Sequence, residues 1–158
     1  QVSIFECREV DLTREGMFVD SSGVYFHAEG QNILGGYAIE SEPDGYNFLY
    51  DGMQFFENYV WPPLYERSSK FEMLKHVTGW AGLYEVSRDR CGIVGRVGEY
   101  QNVFEAHSFS GRGVMQSWAV GRALAELILG GRYDSLDFEP FSGTRFANGK
   151  EMKEDLLI

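Results

Sequence analysis

The sequence predicts an α+β fold, with antiparallel strands in its first half and one long helix late in the chain. The order of its segments predicts it. Strand-like stretches joined by turn residues fill residues 16–40, two helix-forming segments follow, two more strand-like stretches precede residue 108, and the long helix-forming run comes last. That order, βββ-αα-ββ-α, belongs to α+β proteins. The 158 residues are 44% hydrophobic and 15% aromatic, enough to build the core of one folded domain. No repeat and no low-complexity segment interrupts the pattern.

The elements follow in order. "GMFVDSSGVYFHAEG" (16–30) reads as two strands around a Ser-Ser-Gly turn, with Gly23 supplying the permissive backbone. "QNILGGYAIE" continues as a third strand, and "SEPDGYN" is a loop. Asp51 is placed to cap a helix through "GMQFFENYV", in which Met53, Phe56 and Val60 stand near helical spacing. "WPP" (61–63) is expected to stop that helix, since proline disfavours helix at the residue before it. Ser69 to Glu72 has capping-box spacing, so a short second helix is expected to run to His76. "VTGWAGLYEVS" then reads as a strand, and "GIVGRVGEYQNVFEAHS" as one or two more. "QVSIFECREV", at the start, is strand-like but has no obvious pairing partner within the chain.

The last element carries the functional question. Val114, Trp118, Gly121, Ala125 and Ile128 recur at three- and four-residue steps, so this face is expected to be buried. Gly121 weakens the helix by about 1 kcal/mol relative to alanine, which suits a close approach by a strand or a flat ligand. Gly130 and Gly131 form the C-terminal stop. The helix opens on Gly111-Arg112-Gly113 directly after the strand-like "YQNVFEA", and such a knuckle presents backbone N–H groups in anion-binding geometry. Three readings stay open. One is a dinucleotide fingerprint with Asp134 as its acidic partner, although Gln116 replaces the third glycine. The second is a helix N-terminus facing the polar edge of a flavin, where reduction places negative charge. The third is a tight turn and nothing more.

Other signals narrow the function. A net charge of −10 argues against a nucleic-acid partner, and no apolar run nears the roughly 20 residues of a membrane span. Cys7 and Cys91 lack CxxC spacing and are expected to be free thiols. His27, His76 and His107 show no metal-ligand spacing, so no metal is expected. Ser110 is expected to accept from N–H groups where the helix begins, and Arg122 with Glu126 to form a solvated pair. Leu156 to Ile158 form an apolar triplet suited to docking on a neighbouring surface. The chain begins at Gln1 rather than Met, so a targeting peptide or a longer N-terminal region is expected upstream.

"GWAGLYEVSRDRCGIVG" (79–95) followed by "NVFEAHSFSGRGVMQSWAVGRALAELILGG" (102–131) resembles the C-terminal half of the FAD-dependent D-amino-acid-oxidase and sarcosine-oxidase-like superfamily. "DSSGVYFHAEG", "YVWPPL", "GWAGLYE" and "FEPFSGTRF" narrow the resemblance to a mitochondrial branch associated with respiratory complex I assembly. The resemblance implies a substrate-domain-like part at 1–101, the final strand and helix of an FAD-binding domain at 102–131, and a tail at 132–158. It implies that Ser110, Gly111, Arg112, Gly113, Val114 and Met115 lie against the flavin, and that Tyr84 faces substrate in a catalytic role.

Departures from the family pattern qualify this. His107 and Ser108 replace the usual Thr-Gly, Arg112 replaces histidine, Met115 replaces lysine, and Gly82 replaces the cysteine that bonds flavin in sarcosine oxidases. The N-terminal Rossmann half with its GxGxxG motif is not in this sequence. FAD is therefore expected only jointly with a partner chain that supplies it. The expected roles are an accessory or assembly subunit of a mitochondrial respiratory complex, in or facing the matrix, or one half of an active amine or amino-acid oxidoreductase.

Overall fold

The computed structural model describes residues 1–154 and comprises two units, residues 1–83 and a second beginning at Tyr84. The first is an antiparallel sheet backed by a helical run. Its strands are β1 (Val2–Cys7), β2 (Phe18–Val19), β3 (Tyr25–Glu29), β4 (Asn32–Gly36) and β5 (Leu74–Trp80), in the order β2-β3-β4-β1-β5. The β2–β3 hairpin closes where Asp20 and Val24 share a backbone hydrogen bond, with Gly23 at φ 88° as the turn requires.

The opening segment overturns its expectation. β1 lies inside the sheet, with Ile4 opposite Leu34 of β4 on one side and Thr78 of β5 on the other. Both partners are distant in sequence, so local pattern gave no sign of them.

The helical run differs as well. It consists of α1 (Met53–Phe55), a π-helical turn (Phe56–Val60) and α2 (Trp61–Arg67), so Trp61-Pro62-Pro63 does not stop it. The π turn lets the Trp61 N–H reach the Phe56 carbonyl, and the prolines then fall in a first helical turn, where N–H groups lack intrahelical acceptors in any case. Asp51 does not cap this run. Gly52 holds the cap position, and the Asp51 carboxylate accepts from Gln1 Nε2 at 2.6 Å. The expected helix to His76 is one 3₁₀ turn, Ser69–Phe71, capped by Ser68, after which β5 begins at Leu74. Of "VTGWAGLYEVS", only the part to Trp80 is strand.

The helical run buries Phe55, Phe56, Val60 and Leu64 against Phe5, Val24 and Ile33. A Cβ on Gly35 would stand 2.7 Å from Val60 Cγ1, so glycine is what lets β4 approach the run so closely. Under β5, Ser3 Oγ, Tyr50 Oη and His76 Nε2 form a chain of two 2.7 Å hydrogen bonds, which satisfies the buried Ser3 hydroxyl.

In the second unit β6 (Ile93–Arg96) pairs antiparallel with β7 (Phe104–His107), and α3 (Gly113–Gly130) packs on them. The packed face is not the expected one. Val120 and Ala123 are buried in one cluster with Val94 and Phe138, and Leu127 is buried too, whereas Val114 is 90% exposed, Trp118 87%, and Gly121, Ala125 and Ile128 are also exposed. The helix has apolar stripes at helical spacing on two sides, and periodicity alone does not rank them.

The C-terminal stop is as expected: Gly131 adopts the left-handed conformation and its N–H reaches the Leu127 carbonyl. Arg122 and Glu126 do pair, at 3.0 Å. The Glu126 carboxylate also accepts the N–H groups of Ser135 and Asp134, and with Arg122 these hold its pKa down to about 2. It thereby fixes the turn after α3. Among the described residues no helix is long and apolar enough to cross a membrane. Leu156 to Ile158 lie outside the described residues.

Candidate functional site

The start of α3 is reached through a loop in an unusual backbone state. Ser108 (φ 59°), Ser110 (φ 53°) and Gly111 (φ 87°) all lie in the left-handed region, which costs a non-glycine residue on the order of 1 kcal/mol. Glu85 holds this loop from both ends of the residue. Its carboxylate accepts the Ser108 N–H at 3.2 Å, and its backbone carbonyl accepts the Ser110 N–H at 3.2 Å. Val86 and Phe109 form an antiparallel bridge beside it. Tyr84, the proposed catalytic residue, is 44% exposed at the end of this two-strand contact, and so stands in the same neighbourhood as residues 108–110. On the other side of Ser108, His107 Nδ1 lies 2.9 Å from its Oγ, and His107 Nε2 lies 3.2 Å from Glu105 Oε2.

Ser110 does not cap the helix. The cap position falls two residues later, at Arg112, which makes no side-chain cap hydrogen bond, and Ser110 Oγ instead donates to the Ser108 carbonyl at 3.4 Å. The first hydrogen bond into α3 runs from the Gln116 N–H to the Arg112 carbonyl. The N–H groups of Gly113, Val114 and Met115 therefore have no intrahelical acceptor. Val114 and Met115 are exposed on this first turn.

Arg112 is buried and points into its own unit. Nη2 donates to the Arg90 carbonyl at 2.6 Å, Nη1 pairs with Glu154 Oε2 at 2.8 Å, and Nε is buried without a hydrogen-bond partner among the described residues. The Arg90 carbonyl is held by a buried hub. Asp89 and Arg145 form a two-pronged ion pair at 2.7 and 2.8 Å, with side-chain exposures of 1% and 2%. Asp89 also accepts from Ser87 Oγ and from the N–H groups of Cys91 and Met152, and Arg145 donates to the Cys91 and Phe141 carbonyls. Arg145 above all, helped by these N–H and O–H donors, holds the Asp89 carboxyl well below the usual carboxylate range. Sequence reasoning missed Glu85, Asp89, Arg145 and Glu154. In "SRDR" and "FSGTRF" the charges of Asp89 and Arg145 look like a solvated surface, and only the "FSGTRF" motif hinted that Arg145 matters.

Of the six residues expected at the cofactor, Ser110 to Met115 form one continuous loop and first helical turn, so the structure keeps them together. His27 and His76 belong to the first unit and His107 to the second, and among the described residues no group of three or more His, Cys, Asp or Glu could hold a metal ion. Cys7 and Cys91 are free thiols, as expected.

Residues 3–127 match the DAO family, described as FAD dependent oxidoreductase. This chain belongs to that family. It is 38% identical to FAD-dependent oxidoreductase domain-containing protein 1 of Mus musculus, over 97% of this chain and 32% of that protein. The Xenopus laevis protein of the same name is 42% identical, over 90% of this chain and 29% of its own length. The chain thus spans about a third of the length of these relatives. Among solved structures, L-proline dehydrogenase from P. horikoshii superposes with a TM-score of 0.81 at 26% identity, over 96% of this chain and 40% of that one.

The residues present fit the family's cofactor on two counts. The first N–H groups of α3 have no intrahelical acceptor, and buried Arg112 Nε is a donor without an acceptor among the described residues.

The strained loop supports a stability prediction. Ser110→Gly removes a left-handed serine whose hydroxyl makes only a 3.4 Å contact, and is expected to stabilise the protein by roughly 0.5–1 kcal/mol. Chemical denaturation measures it. A loss of stability would show that the hydroxyl matters more than the backbone.

Proposed function

We propose that this chain is the C-terminal part of an FAD-dependent oxidoreductase, and that it binds FAD only jointly with a Rossmann-type portion outside these 158 residues. The observation that carries this is the uncapped N-terminus of α3, set behind a left-handed Ser-Gly loop and a buried arginine whose Nε has no partner among the described residues. FAD, when bound, supplies a two-electron acceptor.

The chain's own residues do the rest. The N–H groups of Gly113, Val114 and Met115 donate to the polar edge of the ring, and the positive end of an 18-residue helix favours negative charge there. Ser110 to Arg112 bring the backbone close, Glu85 holds that loop in shape, and Tyr84 faces the substrate. The exposed stripe of Val114, Trp118 and Ile128 is the surface on which the nucleotide-binding portion packs.

The test is a titration of FAD into the purified chain, alone and with the nucleotide-binding portion added, followed by flavin fluorescence. The expected result is stoichiometric binding in the second case only. Tight binding by the chain alone overturns joint holding, and no binding in either case overturns the flavin site. In the joint complex Trp118→Asp is expected to weaken FAD retention by at least about tenfold, as loss of an exposed aromatic anchor does.

At the level of the cell, the reading is an accessory or assembly subunit of a mitochondrial respiratory complex, in or facing the matrix. Four sequence motifs, "DSSGVYFHAEG", "YVWPPL", "GWAGLYE" and "FEPFSGTRF", support it. Co-migration with a respiratory complex on native gels of fractionated mitochondria tests it, and recovery elsewhere overturns it. A second reading, half of an active amine or amino-acid oxidoreductase, is favoured by the likeness to L-proline dehydrogenase. Anaerobic bleaching of the flavin by L-proline or another amino acid would select it.

A further inference from the structure

We infer that Glu154 is a positioning residue for the α3 N-terminus: it sets how much of Arg112's positive charge is felt at the proposed flavin edge. The inference rests on that proposed site. Arg112 is the N-cap residue of α3 and is 8% exposed, so its charge lies within the first helical turn's field and is poorly screened by water. Among the described residues its guanidinium has two partners of different character. The Arg90 carbonyl takes one N–H without altering the charge, whereas the Glu154 carboxylate at 2.8 Å largely cancels it.

Glu154 is held there by the backbone. The Glu154 N–H donates to the Asp89 carbonyl at 3.2 Å, the Met152 N–H donates to the Asp89 carboxylate at 3.1 Å, and Glu151 pairs with Arg88. Residues 151–154 thus form a strap anchored on the Asp89–Arg145 hub, and its last described carboxylate lies against the helix cap. With the pair intact, the helix N-terminus offers backbone N–H groups and little net side-chain charge. With Glu154 neutral, Arg112 adds a full positive charge at the same point.

The FAD-loaded complex of this chain with its nucleotide-binding portion provides the test, through the flavin's midpoint potential measured by dye equilibration. Glu154→Gln is expected to favour the reduced over the oxidised form about tenfold, a rise of about 30 mV for a two-electron couple. Arg112→Leu leaves the carboxylate behind and is expected to shift the ratio about tenfold the other way. The double variant removes both charges and is expected to return near wild type, and Glu154→Asp, which keeps the charge, to stay there. Thermal melts of each variant separate charge effects from loosening of the strap.

A potential that moves in Arg112→Leu but not in Glu154→Gln overturns the role of Glu154 while sparing the flavin site. Movement in both single variants without cancellation in the double overturns the pairing, and no movement in any variant overturns the role of Arg112's charge as well. A complex that takes up no FAD overturns the proposed site, and this inference with it.

Discussion

Arg145→Ala is expected to destabilise the second unit by about 3–5 kcal/mol, the range for removing one partner of a buried ion pair. The cost comes chiefly from what remains. Asp89 would keep its burial and lose both prongs of its cation, and the Cys91 and Phe141 carbonyls would each lose a donor. Loop 87–91 would loosen with it, and Arg112 would lose the fixed Arg90 carbonyl beneath it. Loss of structure around the start of α3 should therefore accompany loss of stability, read as faster amide exchange at residues 108–116. An Asp89→Leu/Arg145→Met double variant should recover much of the stability, since paired apolar residues of similar size leave no orphaned charge. A cost below about 1 kcal/mol for the single variant would mean that water or another cation reaches Asp89.

The same pair predicts acid sensitivity. The Asp89 carboxyl is held below its ordinary value in the folded state, so the folded state binds its proton less readily than the unfolded chain does. Its contribution is complete above the ordinary carboxylate pKa of about 4 and falls away as the pH drops below that value. Melting temperatures measured from neutral pH into the acid range should fall more steeply in the wild type than in Asp89→Asn, which has no proton to take up at that position.

Phe5→Ala is expected to cost about 3–5 kcal/mol in the first unit. Phe5 is completely buried on the interior strand β1, with its ring 5.3 Å from that of Phe56 and its edge close under Gly35. A core drawn this tightly around a glycine leaves little room to collapse into the cavity, which places the expectation at the upper part of the range. Chemical denaturation of this variant against wild type gives the number. The milder Phe5→Leu should lose distinctly less, because it leaves a smaller void.

Sequence alone determined the features that depend on neighbours within a few residues. The 18–29 hairpin, the strand at 32–36, strand character within 92–108, the long helix behind its Gly-x-Gly knuckle and its left-handed glycine stop all follow from turn chemistry and short-range periodicity. The motifs at 79–95 and 102–131 were equally legible, because the family's residues stand there in order.

Tertiary structure decided the rest. β1 became an interior strand because its partners, β4 and β5, come from distant parts of the chain. The helical run passed through Trp61-Pro62-Pro63 because a π turn supplied the hydrogen bonding and a buried face held it to the sheet. α3 packs through Val120 and Ala123 because Val94 of β6 and Phe138 meet that stripe, a choice that two equally periodic stripes leave open. Asp89, Arg145 and Glu154 read as ordinary surface charges until the fold brings them against Arg90 and Arg112. A charge's role is set by its burial and its partners, and both are properties of residues far apart in the chain.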